Sequence, residues 1–221
     1  LSVVHQHECL GSVYPGDGGE AEMCGNGARC FGNFAAALLH HDKTAPLPFE
    51  TMAGVVTATF EKDGNVTVNL TNPHSMQLFV LNADPTVGAD VHFLNTGVPH
   101  AVAFLDKLEG LDISRLGAYL RYHDAFSPKG TNANFARILS PGHIAIRTYE
   151  RGVEDETLAC GTGMTACALL HAVLTDAPTP IQVDVAGGDT LKVGFQRTGD
   201  RFTDVTLTGP ADLVFTGDIQ I

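Results

Sequence analysis

Apolar residues recur at helical spacing in two stretches of the chain, and elsewhere they alternate with polar ones. From Gly25 to His41, the residues Phe31, Phe34, Ala35, Leu38 and Leu39 fall on one side of a predicted helix. "HHDKTAPLP" ends that helix, because its prolines and charges cannot continue the pattern. A second run, from about Gly161 to Leu174, is apolar nearly all round and stops before "TDAPTP". Both helices are predicted to be surrounded by other elements rather than laid on a surface. Between and after them the period is two. "GVVTATFEKDGNVTVNL" reads as a hairpin turning at Asp63, Gly64 and Asn65. "MQLFVL", "VHFLNTG" and "HAVAFLD" predict further strands, and "ARILSPGHIAIRTYE" predicts two more around a Ser-Pro-Gly turn. "DISRLGAYLRYH" predicts a helix capped by Asp112 or Ser114. Residues 1–14 read as a short strand region before the turn "YPGDGGE". The chain closes on four turn-bounded strands, "IQVDVAGG", "TLKVGFQ", "FTDVTLTG" and "ADLVFTGDIQI".

Each half therefore holds several antiparallel strands and one very apolar helix. The predicted fold is α+β, with two pseudo-symmetric lobes, each a mostly antiparallel sheet wrapped around a central helix, and an active site in the cleft between them. The boundary falls near Asn72-Pro73. Residues 1–72 form an N-terminal lobe joined by a C-terminal strand at 212–221, and residues 73–211 form the C-terminal lobe. The duplication is visible as Cys-Gly-Asn-Gly from Cys24 and Cys-Gly-Thr-Gly from Cys160.

Composition narrows the function classes. A formal net charge of -12 over 221 residues argues against nucleic acid or an anionic membrane as the main partner. No apolar run approaches the roughly 20 residues needed to span a bilayer. The five cysteines, Cys9, Cys24, Cys30, Cys160 and Cys167, are odd in number and form no Cys-x-x-Cys pair. Neither a full disulfide framework nor a structural metal site is predicted, and reduced thiols in the cytoplasm are the simplest reading.

Cys24 and Cys160 stand where a helix is about to start. Unpaired backbone N–H groups and the positive end of the helix dipole are expected there to stabilise a thiolate and lower its pKa towards neutrality. The flanking glycines let the backbone approach a ligand, and the same amides would bind a carboxylate. One such motif is equally a small residue at a tight strand-to-helix turn. Two copies in facing lobes place two thiols about one carboxylate-bearing ligand, which is the geometry for taking a proton from one face of a carbon and returning one to the other. The reaction class so predicted is racemisation or epimerisation. Cys30 and Cys167 lie on the apolar bodies of the two helices and, with Cys9, are read as structural.

"MCGNGARC" and "RTYERGVEDETLACGTG", with "NTGVPHAVAFLD" and "GTNANFARI" between them, resemble the diaminopimelate epimerase family over essentially the whole chain. The resemblance implies a cofactor-free, two-base isomerase acting on a small-molecule amino acid, with Cys24 and Cys160 as the catalytic pair. It implies that backbone amides of Gly25, Asn26, Gly161 and Thr162 hold the carboxylate at the reacting carbon. Glu150, Arg151 and Asn132 would also bind substrate, with Arg151 and Asn132 at its distal end, and His100 would support the site. For each there is a plainer reading: a satisfied core histidine for His100, a surface ion pair for Glu150 and Arg151, turn residues for Asn132 and Asn134. Asn134 is read as structural. Oligomeric state is not legible in the sequence, although family members often form homodimers.

Three departures bear on specificity. The family's opening segment, with its Gly-Asn-Asp-Phe loop, is absent from this chain, so a deficient N-terminal lobe with an open edge is expected. Pro15 stands where the family usually has a substrate-binding asparagine, and Val98 where many members have asparagine before Pro-His. Proline offers neither a side-chain amide nor a backbone N–H. The leading expectation is a diaminopimelate epimerase. The alternatives are another cofactor-independent amino-acid racemase of the same superfamily and an inactive ligand-binding remnant.

Overall fold

The computed structural model describes residues 24–52 and 54–214; Cys9, Pro15, the reading of residues 1–14 and the turn after them lie outside these. Helix α1 (Gly25–Leu38) is followed by strands β1 (Leu47–Thr51), β2 (Gly54–Phe60) and β3 (Val66–Asn69). Next come β4 (His74–Asp84), β5 (Ala89–Asn95), β6 (Pro99–Phe104), helix α2 (Ile113–Arg121), β7 (Asn132–Ser140), β8 (His143–Glu150) and the short β9 (Asp155–Thr157). Helix α3 (Gly161–Thr175), β10 (Ile181–Asp184), β11 (Thr190–Thr198) and β12 (Arg201–Gly209) complete the described elements. The fold is α+β. Its strands hydrogen-bond in the order β1-β2-β3-β12-β11-β10-β8-β7-β6-β5-β4, with β9 paired to β8. Every pairing is antiparallel except β6 with β7 and β8 with β10.

The curled sheet wraps α3, which packs against β5 to β8 and β10 to β12. Residues from Gly161 to Ala172 are buried without interruption, as an all-round apolar helix demands. Helix α1 behaves differently. It packs on β1, β2 and β3 through Ala28, Ala35 and Ala36, while Phe34 and Leu38 are 43% and 53% exposed. Among the described residues, strands lie along one side of it only. The final strand expected at 212–221 meets no strand at residues 212–214, and residues 215–221 lie outside the described ones.

Strands β6, β7 and β8 carry helices on both faces. Ala101, Ala103, Ala133, Phe135 and Tyr149 join Ile113, Leu116 and Leu120 of α2 in one core cluster. Val102, Ala136, Ile144 and Ile146 point the other way, into the core with Met164 and Leu169 of α3. Because side chains alternate along a strand, His100, Asn132, Asn134, Thr148 and Glu150 belong to this second face. That face is apolar along the body of α3 and polar beside its first turn. Asp112 caps α2 by accepting from the Arg115 N–H at 3.1 Å. Among the described residues no helix is long and apolar enough to cross a membrane.

Candidate active site

Both cysteines of the duplicated motif are N-cap residues in extended backbone, Cys24 at φ -138° and Cys160 at φ -120°. The Gly27 N–H donates to Cys24 Sγ at 3.3 Å, so this thiol performs the usual work of a capping oxygen. The two helices meet end to end. A Cβ placed on Gly161 would lie 3.2 Å from Gly25 Cα, tighter than an ordinary side-chain contact, so glycine lets the helix ends approach closely. Asn26 Nδ2 crosses the junction to donate to the Ala159 carbonyl at 3.3 Å, and Asn26 Oδ1 is buried without a partner among the described residues. The residue before each contacting glycine is a cysteine, so the two thiols flank a single junction lined by first-turn amides of both helices.

The helix terminus does not decide the state of Cys160. Burial pushes its thiol up to about 12, and the nearby Glu150 carboxylate adds to the rise, while Thr162 Oγ1 lies 3.5 Å from its sulfur. The lowering expected from the sequence is thus reversed, because the cost of an anion with 7% of the residue exposed exceeds the stabilisation by the dipole. Burial raises Cys167 as well. Since the thiolate is the reactive form, the alkylation order is fixed. Among the four described cysteines, iodoacetamide at mildly alkaline pH is expected to label exposed Cys30 first and Cys160 and Cys167 last. Peptide mass spectrometry over a time course checks this, and early labelling of Cys160 would contradict it.

The polar end of β6, β7 and β8 forms the adjoining wall. His100 is fully buried, and burial, reinforced by the Arg151 cation, holds its imidazole down to about 3, so it is neutral. Asn132 is 3% exposed, with Nδ2 donating to the Pro99 carbonyl at 2.9 Å and Oδ1 accepting the Arg151 N–H at 2.8 Å. Its amide thus fastens two loop segments together. The Arg151 guanidinium donates to the Lys129 carbonyl at 3.3 Å and faces an open cavity of about 490 Å³ shared with Asn95, Val98 and Pro99. Gly25, Asn26, Gly161 and Thr162 lie at the helix junction, Glu150 beside Cys160, and Arg151 towards this cavity.

Two wall residues, Thr96 and Thr148, were not anticipated, and Asn134, read as structural, belongs to the same wall. The Thr96 hydroxyl donates to the Thr162 carbonyl at 2.9 Å, tying the loop before β6 to the first turn of α3. Asn134 and Thr148 are buried and bonded to one another at 3.0 Å. Strand alternation signals both, since each lies two residues from a predicted site residue on its own strand, Asn132 and Glu150. Among the described residues no group of three or more His, Cys, Asp or Glu side chains could hold a metal ion.

Comparison with known proteins gives the family. The diaminopimelate epimerase family model matches residues 2–76 and 92–214. The diaminopimelate epimerase of Hydrogenobaculum sp. is 41% identical over 211 residues, covering 93% of this chain and 73% of the relative. That of Aquifex aeolicus is 41% identical, covering 92% of this chain and 72% of the relative. Among solved structures, a phenazine biosynthesis protein of the PhzF family from Bacillus anthracis superposes with a TM-score of 0.64 at 14% identity. It covers 87% of this chain and 74% of its own. A hydroxyproline epimerase from Agrobacterium vitis, solved with trans-4-hydroxy-L-proline bound, gives a TM-score of 0.54 at 22% identity, with coverages of 75% and 56%. At these identities the structural matches speak for the fold.

Proposed function

The chain belongs to the diaminopimelate epimerase family and is an isomerase, and on that premise we propose that it interconverts LL- and meso-2,6-diaminopimelate through two cysteines. The observation that carries the reading is the contact between the first residues of α1 and α3, with Cys24 and Cys160 immediately before them. In the forward direction one cysteine, as thiolate, takes the Cα proton, and the electron pair passes into the adjacent carboxylate. First-turn amides of Gly25, Asn26, Gly161 and Thr162 bind that carboxylate and stabilise the charge that builds on it. The other cysteine, as thiol, gives its proton to the opposite face of Cα. One proton is consumed and one released, so no electron sink or co-reactant is required. The buried, protonated Cys160 suits the donor role in the resting state.

Glu150, Arg151 and Asn132 serve the rest of the substrate in this reading. Arg151 faces the open cavity and Asn132 holds its backbone, while His100 supports the site. The N-terminal lobe (residues 1–72) and the C-terminal lobe (residues 73–211) would each contribute one cysteine and close over the ligand. The reaction would supply lysine and peptidoglycan precursors. A second reading, a related amino-acid racemase with another substrate, is favoured by Val98, which lends an apolar surface to the cavity beside Arg151.

Incubation in deuterium oxide separates the readings. Deuterium is expected at Cα of LL- and meso-diaminopimelate together with inversion. Exchange confined to proline, hydroxyproline or other amino acids with one α-carbon would overturn the proposed substrate, and no exchange into any of them would overturn the activity.

A further inference from the structure

We propose that Asn134 is a positioning residue that locks His100 in the tautomer protonated on Nε2 and so presents Nε2–H to an acceptor oxygen of the bound substrate. The proposal rests on the two-thiol reading for its substrate, but its geometry stands in the resting protein. Asn134 is fully buried, and its side chain has three partners: the Ala101 carbonyl at 3.0 Å, His100 Nδ1 at 3.1 Å and the Thr148 hydroxyl at 3.0 Å.

The Ala101 carbonyl can only accept, so the amide atom facing it must be the NH₂ group. The same NH₂ group faces His100 Nδ1. That ring nitrogen must therefore be the acceptor, bare of hydrogen, because a second N–H there would oppose the first. In a neutral imidazole the hydrogen then resides on Nε2. Thr148 completes the arrangement by donating to Asn134 Oδ1, so every hydrogen-bonding group of the amide is engaged and it cannot rotate without loss. The neutral state of His100 agrees with this arrangement.

The far end of the ring is left over. His100 Nε2 is buried and has no partner among the described residues, although a buried N–H without an acceptor is costly. His100, Asn134 and Thr148 occupy the polar part of the sheet face beside the first turn of α3, where the Asn134 carboxamide oxygen packs against Gly163, three residues beyond Cys160. An N–H held there without a partner supplies a donor that costs nothing further to desolvate when a ligand brings an acceptor.

Nuclear magnetic resonance on protein carrying ¹⁵N-labelled histidine reads the tautomer directly, through the couplings of each ring nitrogen to the ring protons. The resting wild type is expected to show His100 bare at Nδ1 and protonated at Nε2. A ring protonated at Nδ1, or a mixture, would overturn the proposal with no variant needed. Asn134→Asp places carboxylate oxygens against both Nδ1 and the Ala101 carbonyl, so the hydrogen is expected to move to Nδ1. kcat should fall by about 10- to 100-fold, the loss typical when the partner that orients a metal-bound histidine is removed. Thr148→Val leaves the bond to Nδ1 in place and should keep the wild-type tautomer. A loss of kcat in Asn134→Asp with the tautomer unchanged would show a merely structural role and overturn the assignment. The spectra involve no substrate, so failure of the proposed epimerase activity would be seen separately in the deuterium experiment.

Discussion

Cys24→Ala and Cys160→Ala are each expected to lower epimerisation by about 10²- to 10⁴-fold, the usual contribution of a positioned proton-transfer group. Both variants should fold. The cap bond lost with Cys24 is a single 3.3 Å contact to sulfur, and Cys160 makes no side-chain cap bond at all. Stability should therefore change by no more than about 1 kcal/mol, the typical worth of a cap. A sharper signature follows from the two-sided geometry. Each variant retains one thiol, which still removes a proton from the face it meets and returns a deuteron to that same face. Residual exchange without inversion is expected for one configuration in Cys24→Ala and for the other in Cys160→Ala. Proton and carbon magnetic resonance of recovered diaminopimelate reports both. Wild-type turnover in either variant, or exchange of the same configuration by both, would sink the two-thiol mechanism.

How such a site was legible beforehand depends on which physics each residue obeys. Helix α3 was read as running from about Gly161 to Leu174 and runs Gly161–Thr175, because an all-round apolar helix can only be a core element and its ends are punctuated by glycine and proline. Helix α1 has the same motif at its start, yet its periodicity could not reveal that Phe34 and Leu38 stay exposed, since that depends on where the strands lie. The thiol of Cys160 shows a local rule overruled by a global one. Helix polarity is visible in sequence, whereas the burial that outweighs it comes from seven strands packed around α3. Asn134 is read from the sequence as structural, but its partner escaped for a topological reason. Its meeting with His100 requires β6 and β7 to be parallel neighbours, and a sequence does not announce a parallel register between segments separated by a helix.

The duplicated glycines lead to the second large effect, a loss of catalysis without a matching loss of stability. Gly161→Ala and Gly161→Val test whether the helix ends must touch. Two effects oppose each other in the alanine variant. Its backbone angles at Gly161 suit any L-residue, and replacing glycine by alanine in a helix favours folding by up to about 1 kcal/mol. Against this, the new Cβ would lie 3.2 Å from both Gly25 Cα and Leu207 Cδ2, so something has to yield by a few tenths of an ångström. The Leu207 side chain can turn aside, but Gly25 Cα belongs to the first turn of α1 and moves only with that helix. The junction is therefore expected to widen while the core stays packed. Thermal unfolding of Gly161→Ala should remain close to wild type, with kcat reduced about tenfold. Gly161→Val, with two further carbons at the contact, should lose about 10²-fold, the penalty for displacing a reacting group by about 1 Å. Alkylation of Cys160 should quicken in the same order as the junction opens to solvent. Wild-type kcat in Gly161→Val would mean that proton transfer does not depend on close approach of the two helix ends, and the site would have to be assembled some other way.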